Sequence, residues 1–301
     1  MKALAIPSSF TTTFTLEYGV SEADLRRLYE NAKRDQWNAS RDIPWSAAPS
    51  SDGRVIADEL IDVYGSPLWE RLPEAERVAL NRHIAAWRLS VLMHGEQGAL
   101  LACSQMVDIV EGADAKFFQA TQVVDEARHN EVLSRYLTER LDGLTYPMPA
   151  NERDLFDSIL SESRWYLKTI ALQLVAETFA VALFKMMSES ARDPVLEAIC
   201  KRILLDESRH MGFGMLSLPR VVNEASPAER RGQALPPRDG RFQRLRAVPQ
   251  VLQAGHARLD GREPGAAGAP HRPRPAPSRE ARRQPAGELS GPTSSPSRRV
   301  R

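Results

Sequence analysis

The chain has 301 residues, with 40 Lys plus Arg against 39 Asp plus Glu and 42% hydrophobic residues, enough for one large domain or two small ones. Its two cysteines, Cys103 and Cys200, exclude a disulfide scaffold and fit a reducing compartment. The overall charge of +1 hides an asymmetry, because the last 81 residues hold 16 Arg, no Lys and 7 acids, a net of +9 against −8 for the rest.

The start, Met1 to Pro7, has an apolar run too short for a secretory signal, so a cytoplasmic protein is expected. Ser21, with Asp24 three residues on in a capping-box-like position, is expected to open a helix running to about Trp37. Residues 38–66 read as loop with short helical pieces, marked by Pro44, Pro49, Gly53 and Gly65. From Pro73 the helical period is strong, and four long helices are expected at roughly 73–110, 114–141, 151–189 and 192–217. Gly112 separates the first two and Asp114 is placed to cap the second. Gly143, Pro147 and Pro149 separate the second from the third, which Asn151 is placed to cap. Pro194 fits the first turn of the fourth.

The most apolar stretch, Thr169 to Met187, approaches membrane-spanning length but contains Gln173, Glu177 and Lys185. It is therefore expected to be a buried core helix, and no membrane is expected as a partner. No strand pattern of comparable length occurs. The body is expected to be all-α, a four-helix bundle over 73–220 with an N-terminal helical extension, 1–72, packed on it.

Residues 221–301 differ in kind. They hold 12 of the 21 Pro and 8 of the 17 Gly, and Phe242 is their only aromatic residue. Such a segment buries too little apolar surface to offset its conformational entropy, so a disordered or aberrant tail is expected. An out-of-frame read of a GC-rich gene would give this composition. The rival is a basic tail that contacts nucleic acid or an acidic partner, and the composition favours the former reading.

Two strings repeat: Asp125-Glu126-Ala127-Arg128-His129 and Asp206-Glu207-Ser208-Arg209-His210. Glu and His at i and i+3 share a helical face and reach a single ion. A Glu-x-x-His on each of two helices is how bundles hold a carboxylate-bridged pair of metals, with one further glutamate from each remaining helix. Glu96 lies 30 residues before Glu126, and Glu177 lies 30 before Glu207. Both sit on apolar stripes, where an uncompensated carboxylate costs several kcal/mol. Four carboxylates carry −4, and two divalent cations balance them. Such ligands suit iron, with manganese or a mixed pair as the other option, better than zinc or calcium. Asp125 and Asp206 are placed to receive the second N–H of each imidazole across the helix pair, with Arg128 and Arg209 balancing them. The rival reading of these strings is exposed helical salt bridges.

His83 and His94 fall outside the pattern and read as structural or surface residues. Cys103 and Cys200 read as core packing, as do Trp37, Trp45, Trp69 and Trp87, although a tryptophan is also an electron relay. Tyr136, seven residues after His129, is a further candidate to face the site.

From about Glu22 to Leu218 the sequence resembles the ferritin-like di-iron carboxylate superfamily, especially the branch of ribonucleotide reductase small subunits and hydroxylase subunits of bacterial multicomponent monooxygenases. The stretch D-E-S-R-H-M-G at Asp206 to Gly212 is close to the second motif there. The resemblance implies a ferritin-like bundle in which Glu96, Glu126 and His129 bind one iron and Glu177, Glu207 and His210 the other, with one or two glutamates bridging. Three positions depart from relatives. Leu133 replaces the radical tyrosine of the reductase subunits, Val181 the active-site threonine of the monooxygenases, and Ile203 the extra histidine of three-histidine N-oxygenases.

The expected function is activation of O₂ to hydroxylate, epoxidise, N-oxidise or desaturate a mostly apolar organic substrate. Electrons would come from a ferredoxin or reductase, and a homodimer is an option. Met93, Ala127, Leu133, Val181, Phe184 and Ile203 are the candidate pocket lining. The rivals are a non-catalytic iron-handling or ferroxidase protein, a bundle in which metal is only a staple, and a truncated inactive relative.

Overall fold

The computed structural model describes residues 6–224. Its elements in chain order are α1 (Ala23–Arg34), a 3₁₀ turn (Asp58–Leu60), α2 (Pro67–Arg71), α3 (Glu74–Ile109), α4 (Ala113–Arg140), α5 (Ala150–Ser161), α6 (Trp165–Thr169), a π-helical segment (Ile170–Ala176), α7 (Glu177–Ser190) and α8 (Pro194–Glu224). Among the described residues there is no strand, only an isolated bridge between Ile56 and Ala191. The expected tail, 221–301, lies outside the described residues apart from the end of α8.

The body is the expected all-α bundle of four long runs: α3, α4, the composite α5–α7, and α8. Gly112, at φ 84°, takes the left-handed turn that folds α4 back along α3. The third run is not one helix. Its first break falls at Glu162, whose carboxylate accepts from the Arg164 backbone N–H (2.8 Å) and guanidinium (2.8–2.9 Å). That local bond gives the backbone an alternative to continuing the helix.

Two expected caps are absent for a shared reason. Ser21 caps nothing, and α1 begins at Ala23 behind Glu22. Instead Asp114, buried on α4, accepts from the backbone N–H groups of Ser21 and Glu22 (both 2.9 Å) and from Arg26 Nε (2.6 Å). Asp114 thus ties down the entry to α1 rather than capping its own helix, which begins behind Gly112. Asn151 lies exposed in the first turn of α5, which begins behind Pro149.

The run Trp165–Ser190 is long and apolar enough to cross a membrane by length and composition. Here it packs in the bundle, but the expected burial holds for one face only. Lys168, Leu172, Gln173, Glu177, Phe184 and Met187 are buried, whereas Phe179 is 52% exposed.

Three apolar clusters bracket one level of the bundle. On one side Leu89, Leu92, Val132, Leu133, Phe184, Ile199 and Ile203 form the largest core. On the other lie Met106, Phe118 and Phe213, and Ala99, Ala102, Cys103, Phe156 and Leu172. Residues 96, 126, 129, 177, 207 and 210 fall between these sets on every helix. The α1 extension packs against α4 and α8 and brings Trp37 to the same level.

Candidate metal centre

Each long helix delivers one element of the doubled pattern. Glu96 comes from α3, Glu126 and His129 from one face of α4, Glu177 from the first turn of α7, and Glu207 and His210 from α8. All six are buried, and four of them are 0% exposed. The structure brings them together in two overlapping groups. Ligand atoms of Glu96, Glu126, His129 and Glu207 lie within 4.8 Å of one another, as do those of Glu126, Glu177, Glu207 and His210. Glu126 and Glu207 belong to both groups.

The imidazoles present Nδ1 to the carboxylates. His129 Nδ1 lies 3.1 Å from Glu96, 3.3 Å from Glu126 and 3.2 Å from Glu207. His210 Nδ1 lies 3.0 Å from Glu207 and 3.3 Å from Glu126. The opposite ring nitrogens cross between the motifs. His129 Nε2 meets Asp206 at 3.1 Å, and His210 Nε2 meets Asp125 at 3.3 Å. Each aspartate is held in turn. Arg128 bonds Asp125 (2.5 Å) and Asp206 (3.2 Å), Arg209 bonds Asp206, and Gln36 donates to Asp125 (3.0 Å). The Trp37 indole N–H donates to Asp206 at 2.8 Å. With a metal bound, these aspartates would keep the proton on Nε2 and leave Nδ1 to face the ion.

The set fits a pair of cations. Glu126 Oε2 and Glu207 Oε1 are buried and make no well-aligned hydrogen bond. Among the described residues the only cation beside both is the one His129 ring that they share, at 3.3 and 3.2 Å, and a metal would satisfy them more fully. Burial, and then the charge of Glu207, pushes Glu96 well above the usual carboxylate range. Burial and the charges of Glu207 and Glu126 do the same to Glu177. Burial opposes charge on the imidazoles. The carboxylates outweigh it, holding His129 well above its usual range and His210 at about 10. Without metal, protons balance the charge. Loading Fe(II) or Mn(II) in weakly buffered solution near pH 7 should therefore acidify it, by on the order of two protons per ion. A loading with no proton release would contradict this electrostatic account.

Some residues that sequence reading passed over stand beside the centre. Gln122 and Gln173, each four residues before a glutamate of the set, are 0% exposed, and Gln122 donates to both Glu126 and Glu177. Trp37 is bonded to the site rather than serving only as packing. Outside both ligand groups, Lys168 is also buried, donates to Gln105 and to the Ile159 carbonyl (both 2.6 Å), and is pushed down to about 8 by burial. An isolated Gln or Lys in a helical pattern gives no spacing signal, so only the fold reveals them.

Other expectations resolve differently. Tyr136 faces away from the centre and donates to Asp193 at 3.0 Å. Ala127 is exposed on the outer face of α4, because it falls between the inward positions 126 and 129, so it lines no interior pocket. Leu133, Phe184 and Ile203 are 0% exposed in the largest core, and Met93 packs on it half-buried. Val181 is half-buried. Ile203 thus supplies no third imidazole. His83 bonds the Tyr146 hydroxyl and His94 the Tyr146 carbonyl. Cys103 and Cys200 are wholly buried, and burial pushes both thiols up, Cys200 to about 12.

Beside Glu96, a Cβ on Gly95 would lie 3.5 Å from Glu152 Oε1. Burial pushes that carboxyl up to about 7. A folded value raised above 4.5 contributes stability that is complete below pH 4.5 and is lost as pH rises through about 7. Glu152→Gln should therefore stabilise the protein at pH 8, by about 1–2 kcal/mol after allowing for solvent screening, and leave it unchanged at pH 4.5. Denaturant unfolding at the two pH values checks this, and equal effects at both would refute it.

The p-aminobenzoate N-oxygenase AurF family model matches residues 20–238. Among solved structures, the R2-like ligand-binding oxidase from Sulfolobus acidocaldarius is 16% identical with a TM-score of 0.52, covering 80% of this chain and 92% of that one. An R2-like ligand-binding oxidase with an aerobically reconstituted metal cofactor, after photoconversion, is 18% identical with a TM-score of 0.50, covering 79% and 82%. At these identities the two structures show the shared fold. No curated protein matches the chain. The family match adds that the protein is an oxygen-dependent enzyme with a dimetal cofactor, iron in the matched family, and a small-molecule substrate. A match over most of the chain, on a bundle whose four long helices each contribute to one buried carboxylate–histidine cluster, places this protein in the AurF N-oxygenase family of the ferritin-like di-iron superfamily.

Proposed function

We propose that Glu96, Glu126, His129, Glu177, Glu207 and His210 hold two iron ions, bridged by Glu126 and Glu207, and that the centre N-oxygenates an amine on a mostly apolar, aromatic molecule. The membership of Glu126 and Glu207 in both ligand groups carries the dimetal part of this reading. The family match supports the choice of nitrogen as the atom oxidised. The bundle, 73–220, carries the ligands, and the extension, 1–72, contributes Trp37 and Gln36 to their hydrogen-bond partners.

Two iron ions supply the redox chemistry for reducing O₂, which protein side chains lack. The balance for one step is R–NH₂ + O₂ + 2e⁻ + 2H⁺ → R–NHOH + H₂O. Asp206 and Asp125 keep the imidazole Nδ1 atoms aimed inward. Leu133, Phe184 and Ile203 on one side, and Phe118 and Phe213 on the other, exclude bulk water. The electrons come from a ferredoxin or reductase. The hydrogen-bonded path His129–Asp206–Trp37 ends at a surface cavity of about 250 Å³ lined by Trp37, Arg202, Leu205 and Arg209. Trp37→Phe, which keeps an aromatic ring but loses the indole and its N–H, should slow reduction of the loaded protein by its donor without changing metal content. Unchanged reduction kinetics would remove Trp37 from the path.

The test of the reading is a single turnover. Iron-loaded protein is reduced without oxygen, mixed with p-aminobenzoate and O₂, and its products are read by mass spectrometry. The expected products carry one or more oxygen atoms on nitrogen, derived from labelled O₂. Consumption of O₂ with no organic product, for p-aminobenzoate and for a panel of other arylamines, would favour iron handling instead.

A further inference from the structure

Three buried glutamines form a wired set beside the centre. Gln122 Nε2 donates to Glu126 Oε1 (3.1 Å) and Glu177 Oε1 (2.8 Å). Carboxylates that hold metals offer only acceptor oxygens, so this amide has one orientation. Gln122 Oε1 then accepts from Gln173 Nε2 (2.7 Å) and from Gln119 Nε2 (3.5 Å). Flipping either outer amide would set carbonyl against carbonyl. The wiring therefore ends in two carbonyl oxygens, Oε1 of Gln119 and Oε1 of Gln173. Both lack a hydrogen-bond partner, on side chains that are 0% exposed.

Buried acceptors without donors are rare in native structures and call for a ligand or water that donates to them. Among the described residues, none donates to them. Phe118 and Phe213, sequence neighbours of Gln119 and Gly214, stack at 5.1 Å, and Phe118 meets His210 edge-on. Gly214 itself has no side chain because a Cβ there would come within 2.8 Å of Gln173 Cβ and of Leu174. Gln173 is further set apart by its backbone. It sits in the π-helical segment, a rare geometry that occurs frequently at functional sites.

We propose that the free carbonyls of Gln119 and Gln173 receive the N–H bonds of the substrate's amino group. They thereby position its nitrogen beside the carboxylates and make these two glutamines the determinants of preference for N–H donors. This rests on the amine reading above. Gln122 is the positioning residue that fixes both orientations. A site built to accept hydrogen bonds from a substrate discriminates strongly against an isostere that lacks the donor.

The test uses the full-length, metal-loaded protein and two probes of equal shape, p-aminobenzoate and p-methylbenzoate. Binding is measured by calorimetry for the unsubstituted protein and for Gln119→Met and Gln173→Met, after confirming two metals per chain in each. The unsubstituted protein is expected to bind the amine at least about tenfold more tightly than the methyl isostere. Each methionine variant is expected to lose most of that preference while its affinity for the isostere stays the same. If the unsubstituted protein prefers the amine and both variants keep the preference, the glutamine assignment is wrong and the amine reading stands. If it shows no preference at all, for this pair and for the matching pairs of other arylamines and their methyl isosteres, the amine reading and this inference both fall, a result that needs no variant to fold.

Discussion

Glu207→Ala is expected to empty the centre of both metal ions, whereas Glu96→Ala is expected to remove only one. The two glutamates are equally buried in chemical terms but differ in connectivity. Glu96 appears in one ligand group, with Glu126, His129 and Glu207. Glu207 appears in both and also touches both imidazoles, at 3.2 Å to His129 and 3.0 Å to His210. In the proposed centre, removing it would take an oxygen from each ion and leave the two imidazoles without the carboxylate they share. Metal analysis after loading with Fe(II) and desalting should give about two ions per chain for the unsubstituted protein, about one for Glu96→Ala and close to none for Glu207→Ala. Glu126→Ala should match Glu207→Ala for the same reason. Equal retention by the Glu96 and Glu207 variants would remove the bridging role.

The second large effect is structural, and falls two residues from Glu96. Any Cβ at Gly98 would sit inside the Phe156 ring, closer than real carbon contacts allow. Both residues are buried, Gly98 on α3 and Phe156 on α5. Gly98→Ala must push α5 away or shift the α3 turn that carries Glu96. Overpacking of this kind costs about 1–3 kcal/mol, and the severity here places it at the upper end. That outweighs the roughly 1 kcal/mol that alanine gains over glycine in a helix. Thermal unfolding should show a fall of several degrees, together with weaker retention of the ion on the Glu96 side. Adding Phe156→Leu should recover part of the loss, because the two sites are in contact and couple. Full stability in Gly98→Ala alone would show that the α3–α5 packing is not as described.

The contrast between what the sequence discloses and what it conceals follows from which interactions have a period. Glu-x-x-His repeated on two helices, with glutamates at equal offsets, is legible because one helical face enforces the spacing. The same holds for the Gly112 and Pro194 boundaries, where backbone geometry limits residue choice. The break at Glu162–Arg164 is concealed, since no Gly or Pro marks it and a side chain captures the backbone instead. So is the π-helical segment, whose residues Ile170 to Ala176 differ little from those of an ordinary helix. Ser21 looks like a cap, but Asp114, 93 residues away, takes over that task. Gln119, Gln122 and Gln173 stay hidden because a glutamine one or two turns from a glutamate occurs on any solvated helix, and only burial distinguishes these three.

The most direct test is anomalous diffraction from crystals of the iron-loaded protein, collected on either side of the iron edge. Two peaks about 3.5–4 Å apart are expected, one bonded by Glu96 and His129 Nδ1, the other by Glu177 and His210 Nδ1, with Glu126 and Glu207 reaching across to both. A single peak, or peaks lying away from these six side chains, would contradict the assignment on which the chemistry depends.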